Sequence, residues 1–533
     1  MMGESMVKLK TESQGAEEGA VERLFSELPT APKYNPTGQA IERAKELGEQ
    51  KIVTALSSFS TMPQSTSIIA NPVLHHTQVD CNGTRVTLDI RSFTIRGIVP
   101  EADIVNGKAG PLEVIFVGLL GREPRAVDGD STEEATLAAL IDQTFFSSLG
   151  TAGTGSSGPS LISQIADFVQ AYPGSGPEIA IQHFSTLRKA VKIREKQADE
   201  GLNEERDPSV LLTEMITVHM ENVAIGAVTA YMNQTLSEGA GPGKQELEES
   251  ARRFIEEERG RGRNAFEVCY SLILGRHANE SECLILERMG TIQIHHGSAG
   301  SNMVARYMAT LHTLSVSDFF TASQMAMDGA RHFGAIHDMT AFVHQLESRS
   351  ADERRETIRG KVLGGGLPTF GHPEIAAAGR GNTVQQDPRP AIYIDPLFTA
   401  ISEGTVTLSE RQRNRLAIAR QIYNIAFVEG VLKPQREHEA PLRLTANTDF
   451  GAWCVQEGLG IEESNRTLLT YIFRGFGWMM DAREQLQQKM IRPVIAPDPQ
   501  IIPTASEDST IPQLVERVHH RLTREDPFSP EEA

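Results

Sequence analysis

The chain has 533 residues, 39% of them hydrophobic and 23% charged, with a formal charge of −19. Its length exceeds one ordinary domain and predicts two interlocked domains or a large helical body with a smaller partner. The excess of acid argues against nucleic acid or an anionic membrane as the main partner, and the lack of any run of about 18 apolar residues argues against a transmembrane helix.

The four cysteines (Cys81, Cys269, Cys283, Cys454) show no paired spacing, which fits free thiols in a reducing compartment rather than a disulfide frame or zinc site. Residues 1–75 are polar, with several Glu before any apolar stretch; they predict a loosely ordered leader with one helix near Gln39–Leu56, and neither a secretory signal nor a mitochondrial presequence. A cytoplasmic protein is expected. From Thr84 to Arg96 the residues alternate as in a strand, and Gly97 breaks the pattern. The apolar run Pro111–Gly121 follows. Gly153-x-Gly155-x-x-Gly158 lies in a Gly/Ser/Thr stretch without the strand and acidic residue that a dinucleotide loop needs, so it reads as a linker.

Beyond Pro159 the apolar spacing is helical at Ile162–Ala171, Leu211–Leu236, Gly243–Glu258 and Ala265–Leu274. Asn302–Leu314 and Val316–Met327 are apolar on most sides, as buried helices are. Ala335–Leu346, Glu410–Val428, Asp449–Glu457 and Glu463–Gln488 continue the pattern, and three prolines in Pro497–Pro503 close the packed body before an acidic tail. The mixed charge run Arg252–Arg263 reads as a solvated helix end. His75-His76 and His519-His520 lack companions at ligand spacing, so no metal is expected. The Asn-x-Ser/Thr triplets at Asn82, Asn233, Asn279 and Asn465 carry no meaning in a cytosolic chain.

Four separated segments combine His, Asp or Arg with glycine. His296 lies in Ile294-His-His-Gly297 and His332 in Gly329-Ala-Arg-His-Phe-Gly334; His372 lies in Phe370-Gly-His, ahead of Asp387-Pro-Arg389, and Asp449 in Asn447-Thr-Asp, ahead of Arg474. Singly each has an ordinary reading: a junction histidine, a loop histidine, and for Asp449 a helix N-cap. Together they supply two imidazoles and a carboxylate for activating a carbon acid, and arginines for a dicarboxylate.

In order and in flanking residues these segments resemble the citrate synthase family, over roughly Ile90–Pro493 and more weakly before Ala265. Thr94-Ile-Arg-Gly-Ile-Val-Pro-Glu-Ala and Gly110–Pro124 look like the family's opening; Arg474-Gly-Phe-Gly-Trp and Ile491-Arg-Pro look like segments near its end. The resemblance implies a mainly α fold: a large helical domain (84–330 with 438–493), a small one (331–437) and a short N-terminal β element. It implies an acyltransferase that condenses an acyl-CoA with oxaloacetate through an enol and then hydrolyses the thioester. Asp449 would be the base, neutral His332 the donor to the enolate oxygen, and His372, helped by His296, the donor to the ketone. Arg389 and Arg474 would hold the oxo acid, and Arg492 would be lent to a partner subunit, making a homodimer obligatory. No cofactor beyond the coenzyme A thioester substrate is implied.

The chain departs from the family pattern beside these residues. His295-His296-Gly297 replaces Asp-His-Glu, Ala299 replaces Asn, Phe333 replaces Gly, and Ile336-His337 replaces Asn-Glu. About eight extra residues separate His372 from Asp387. Such changes suggest altered acyl or oxo-acid specificity, and Pro373 leans towards methylcitrate-type chemistry. The alternatives are a citryl-CoA lyase of the same fold and a non-catalytic homologue.

Overall fold

The helical spacing in the sequence organises the molecule. In the computed structural model the described residues are 77–81, 84–88, 110–120, 124–126, 132–150, 159–194, 207–237, 242–294, 300–311, 315–329, 334–364, 366–371, 389–429, 432–433 and 442–486. All belong to a unit formed by Met1–Lys33 and Pro72–Met490; a second unit, Tyr34–Asn71 with Ile491–Ala533, lies outside them. The leader helix, the 151–158 linker, both His pairs and the tail also fall outside.

The fold is mainly α. Strands β1 (Thr77–Cys81) and β2 (Thr84–Leu88) form an antiparallel hairpin, and the residues between them are Asn82-Gly83, the pair most favoured in two-residue turns. The expected strand is thus seen as far as Leu88, with a partner that precedes it. Helices follow: α1 (Pro111–Leu120), α2 (Glu133–Gly150), α3 (Leu161–Ala171), α4 (Pro177–Arg194), α5 (Pro208–Ser237), α6 (Lys244–Gly260), α7 (Ala265–Leu274) and α8 (Glu280–Gln293). Then come α9 (Gly300–Thr310), α10 (Val316–Met327), α11 (Gly334–Glu347), α12 (Ala351–Leu363), α13 (Arg389–Ser402), α14 (Glu410–Tyr423), α15 (Thr448–Gly458) and α16 (Arg466–Leu486). A π-helical turn, Asn424–Val428, extends α14, and β3 (Leu432–Lys433) pairs with β4 (Leu442–Arg443). Among the described residues no helix is long and apolar enough to cross a membrane.

Helices α7 and α10 fall on the residues that the periodicity marks. α1, α2, α4, α8, α12 and α13 were not anticipated as helices. α12 buries only Ile358 and Val362 and so carries no apolar stripe, while α13 holds Pro396 in its interior. Their starts are chemical: Ser350 and Asn279 close capping boxes with Glu353 and Glu282. Asn279 therefore caps α8, and Asn233 donates to Ser175 O. The run Arg252–Arg263 is not wholly solvated, because Glu258 is buried and bonded by Ser271 Oγ (2.6 Å) and His277 Nδ1 (2.5 Å).

The core is built round α5 and α16, whose residues Val223–Val228 and Tyr471–Phe473 are buried. Two glycines let them close. A Cβ on Gly226 would stand 2.6 Å from Leu468 Cδ1, and one on Gly475 would stand 2.0 Å from the His219 ring. His219 is fully buried, stacks on Phe320 and bonds Ile472 O at 2.9 Å. Burial pulls its imidazole down to about 4. Between pH 6.5 and about 4 the unfolded chain therefore binds the extra proton, and stability is lost as pH falls through that window. Unfolding midpoints across this range, compared with those of His219→Gln, are expected to show a loss on the order of 3 kcal/mol that the variant lacks.

Candidate functional site

Of the seven residues singled out in the sequence, Asp449 and Arg474 are described with their side chains and Arg389 by its backbone, at the first position of α13. His296, His332, His372 and Arg492 lie outside the described residues. Even so, the flanks of the histidine segments are pinned, and each is pinned to something informative.

The first pin joins the His372 segment to the Asp449 segment. Gly371 N–H donates to Thr445 O (2.8 Å) and Asn447 N–H donates to Thr369 O (3.0 Å), with Phe370 bridged to Ala446. The residue before His372 and the residue two before Asp449 are therefore held in one short antiparallel pairing. The backbone is forced there: Thr369 has φ 60° and Gly371 φ 85°. A β-branched residue in the left-handed region is a strained state kept only where its surroundings over-determine it. Thr369 is buried, and the Phe370 ring packs edge-on against Phe450 at 5.1 Å.

Asp449 is not the N-cap of α15. Asn447 is, its Oδ1 accepting from Asp449 N–H (3.0 Å) and Phe450 N–H (3.3 Å). Asp449 sits half-buried in the first turn, where the helix dipole favours the anion. Tyr393 OH meets Thr448 Oγ1 at 2.8 Å and steadies this turn from α13. Trp453 Nε1–H, in the second turn of α15, donates to Thr340 Oγ1 (3.0 Å) in the second turn of α11. That ties the Asp449 helix to the helix that follows His332.

The second pin surrounds the His296 segment. Arg474 is buried; its Nε–H donates to Gln293 O (2.7 Å) and its Nη1–H to Asn302 Oδ1 (3.1 Å). Gln293 ends α8 and Asn302 lies in the first turn of α9, so one guanidinium grips the chain on both sides of residues 295–299. Asn302 Nδ2–H donates in turn to Asp481 Oδ2 (2.5 Å), and Arg306 Nη2 pairs with Asp481 Oδ1 at 2.6 Å, with both side chains at most 1% exposed. Thr470 Oγ1–H bonds Gln293 Oε1 (2.6 Å). Sequence reading missed Gln293, Asn302, Arg306 and Asp481. Asn302 and Arg306 are polar residues in the run Asn302–Leu314 that reads as a buried helix, and that mismatch was the available signal; nothing comparable marked Gln293 or Asp481.

Next to the first pin lies a cavity of about 240 Å³ between α13, α14 and α15, walled by Ile394, Phe398, Tyr423, Phe427, Phe450 and Cys454. Pro390 and Phe450 also face it, and they are the chain neighbours of Arg389 and Asp449. No cluster of three metal-ligating side chains occurs among the described residues.

A buried, doubly anchored arginine, a carboxylate at a helix start and a strained pairing on a helical scaffold now stand beside two comparisons. The chain is similar in fold to citrate synthase from Thermoplasma acidophilum, solved as a ternary complex with carboxymethyl coenzyme A and oxaloacetate: 16% identity, TM-score 0.52, covering 76% of this chain and 90% of that one. It is likewise similar to citrate synthase from Thermotoga maritima MSB8, at 16% identity and TM-score 0.51 over 81% of this chain and 93% of that one. These likenesses define a protein of the citrate synthase fold. The family model described as "Citrate synthase, C-terminal domain" matches residues 163–494, more than half of the sequence, and the chain belongs to the citrate synthase family. No curated protein matches it in sequence.

Breaking the network under Arg474 should be costly, since removing one partner leaves an uncompensated buried charge. Asp481→Asn is expected to lower the unfolding free energy by about 3 kcal/mol or more, measured by guanidinium titration. A loss below about 0.5 kcal/mol, the scale of an ordinary surface substitution, would mean that Asp481 is not holding Arg306.

Proposed function

We propose that the protein condenses an acyl-CoA, acetyl-CoA or a close relative, with oxaloacetate and hydrolyses the resulting thioester to citrate or an alkylcitrate and CoA. The observation that carries this reading is the backbone pairing of Thr369–Gly371 with Thr445–Asn447, which brings the approach to His372 beside the turn that holds Asp449. Asp449 takes the proton from the thioester's α-carbon, and the electron pair moves to the thioester oxygen, where neutral His332 donates a hydrogen bond. The enol carbon attacks the ketone carbon of oxaloacetate while His372, assisted by His296, protonates the ketone oxygen. Water then cleaves the thioester and releases the CoA thiol.

Arg389 and Arg474 hold the carboxylates of the oxo acid. The anchoring of Arg474 to Gln293 and Asn302 fixes the plane of its guanidinium, which is what paired recognition of a carboxylate requires. The small domain, 331–437, closes on the large one to exclude water. Arg492 completes the neighbouring subunit's site in a homodimer, and the enzyme works in the cytoplasm without metal or further cofactor. The cavity behind Phe450, together with the replacements around His296 and His332, supports an acyl group larger than acetyl.

The test is thiol release on adding oxaloacetate to acetyl-, propionyl- and butyryl-CoA. Release dependent on oxaloacetate is expected, with kcat lowered about 10²–10⁴-fold in Asp449→Asn, the range for loss of a general base. Trace activity unchanged in that variant would overturn the reading, and a clear preference for acetyl-CoA would overturn the enlarged acyl group alone.

A further inference from the structure

Helices α4 and α10 run antiparallel, and their two ends are fastened differently. At one end Lys189 Nζ pairs with Asp318 Oδ2 at 2.6 Å. At the other the same register brings Glu178, in the first turn of α4, against Asp328, the C-cap of α10. Here two acidic residues act on each other electrostatically where the opposite end has a salt bridge.

They are not equivalent. Burial pushes the Glu178 carboxyl up as well, but it reaches back to its own backbone N–H at a helix N-terminus and feels His337, both of which favour the anion. Asp328 ends a helix, where an anion is disfavoured, and both of its carboxyl oxygens are shut off from solvent without a hydrogen-bond partner among the described residues. An ionised carboxylate in that position would lack any compensation; a carboxylic acid avoids most of the cost.

Of the groups on the packed helices, Glu178 from α4 and Tyr471 from α16 interact electrostatically with Asp328. From α5, Asn222 donates to Tyr471 OH (3.0 Å), His219 is bonded to Ile472 O, and Glu221 is held by Arg188 (2.5 Å). From α9, Arg306 is paired with Asp481. His337, on α11, acts on Glu178. Burial, with Glu178 adding to it, pushes the Asp328 carboxyl up to about 7.

Asp328 also immediately precedes the His332 segment: the chain leaves α10 through Gly329 and returns at Gly334, whose N–H reaches Gly329 O at 3.4 Å. We propose that the Glu178–Asp328 end of the α4–α10 pair is closed by a proton kept on Asp328, which makes Asp328 a positioning residue for the segment that carries His332. Its positioning role rests on the condensation reading; the shared proton does not. With the proton in place the two helix ends pack together. When both carboxyls ionise they repel, and the departure of the chain towards His332 loosens.

The sign of the pH effect follows. Between the ordinary Asp value, 3.8, and about 7 the folded state holds a proton that the unfolded chain has released, so stability falls as pH rises through that window and levels off above it. The experiment compares full-length wild type, Asp328→Asn and Glu178→Gln by guanidinium unfolding from about pH 5 to about pH 9, spanning that titration. Asp328→Asn, neutral at every pH, is expected to abolish the decline between about pH 5 and about pH 7, and Glu178→Gln to end it at lower pH.

Oxaloacetate-dependent thiol release across the same range should show an alkaline limb of kcat that Asp328→Asn moves upward by a pH unit or more, with KM little changed. Parallel stability declines in wild type and both variants would overturn the shared proton. An unmoved kcat limb, with the stability effect present, would overturn the positioning role. Absence of any thiol release would instead strike the condensation reading and leave the stability result to stand by itself.

Discussion

Asp481 is the constraint on which the rest of the described structure depends. A helix as enclosed as α16 has no water to satisfy its polar groups, so every charge in it must find its partner inside the protein. Asp481 accepts from Arg306 and Asn302, Asn302 accepts from Arg474, and Arg474 holds the end of α8. The chain on either side of His296 is set by this relay, two helices away from the carboxylate that starts it. The family's chemistry needs an arginine that does not move; the fold supplies it by making the arginine part of the core.

The same burial acts on other titratable groups, with results decided by what each group finds. Glu258 is fully buried yet bonded by Ser271 and His277. His219 has one bonded ring nitrogen and is held neutral. Asp328 finds no donor among the described residues and feels the Glu178 carboxyl electrostatically. Low dielectric strengthens satisfied groups and penalises unsatisfied ones, and burial favours the neutral form of each: the deprotonated imidazole of His219 and the protonated carboxyl of Asp328. That carboxyl lies next to the segment bearing His332, while the satisfied groups lie in the scaffold.

Much of the helical frame was legible. α7 and α10 could be bounded from apolar spacing because both are enclosed and their ends carry clear stop or cap residues, Gly275 after α7 and Ser315 before α10. α12 and α13 were not legible: one has almost no buried face, the other contains a proline that local rules read as a break. At the site, Asp449 was singled out as the base, while the ordinary reading of it as a helix cap falls on Asn447 instead. The distinction between Asn447 and Asp449 depends on which carbonyl meets which N–H, and both residue types favour either position.

By itself the sequence determined the helical class, the ordering of the His, Asp and Arg segments, and through them the resemblance to citrate synthases, because periodicity and motif order are properties of the chain alone. Only the tertiary structure decided that Gly371 lies against Thr445, that Arg474 spans Gln293 and Asn302, and that Glu178 acts on Asp328. These are contacts between residues tens to nearly two hundred positions apart, set by how enclosed helices pack and by where buried polar groups find partners, and no local pattern encodes them.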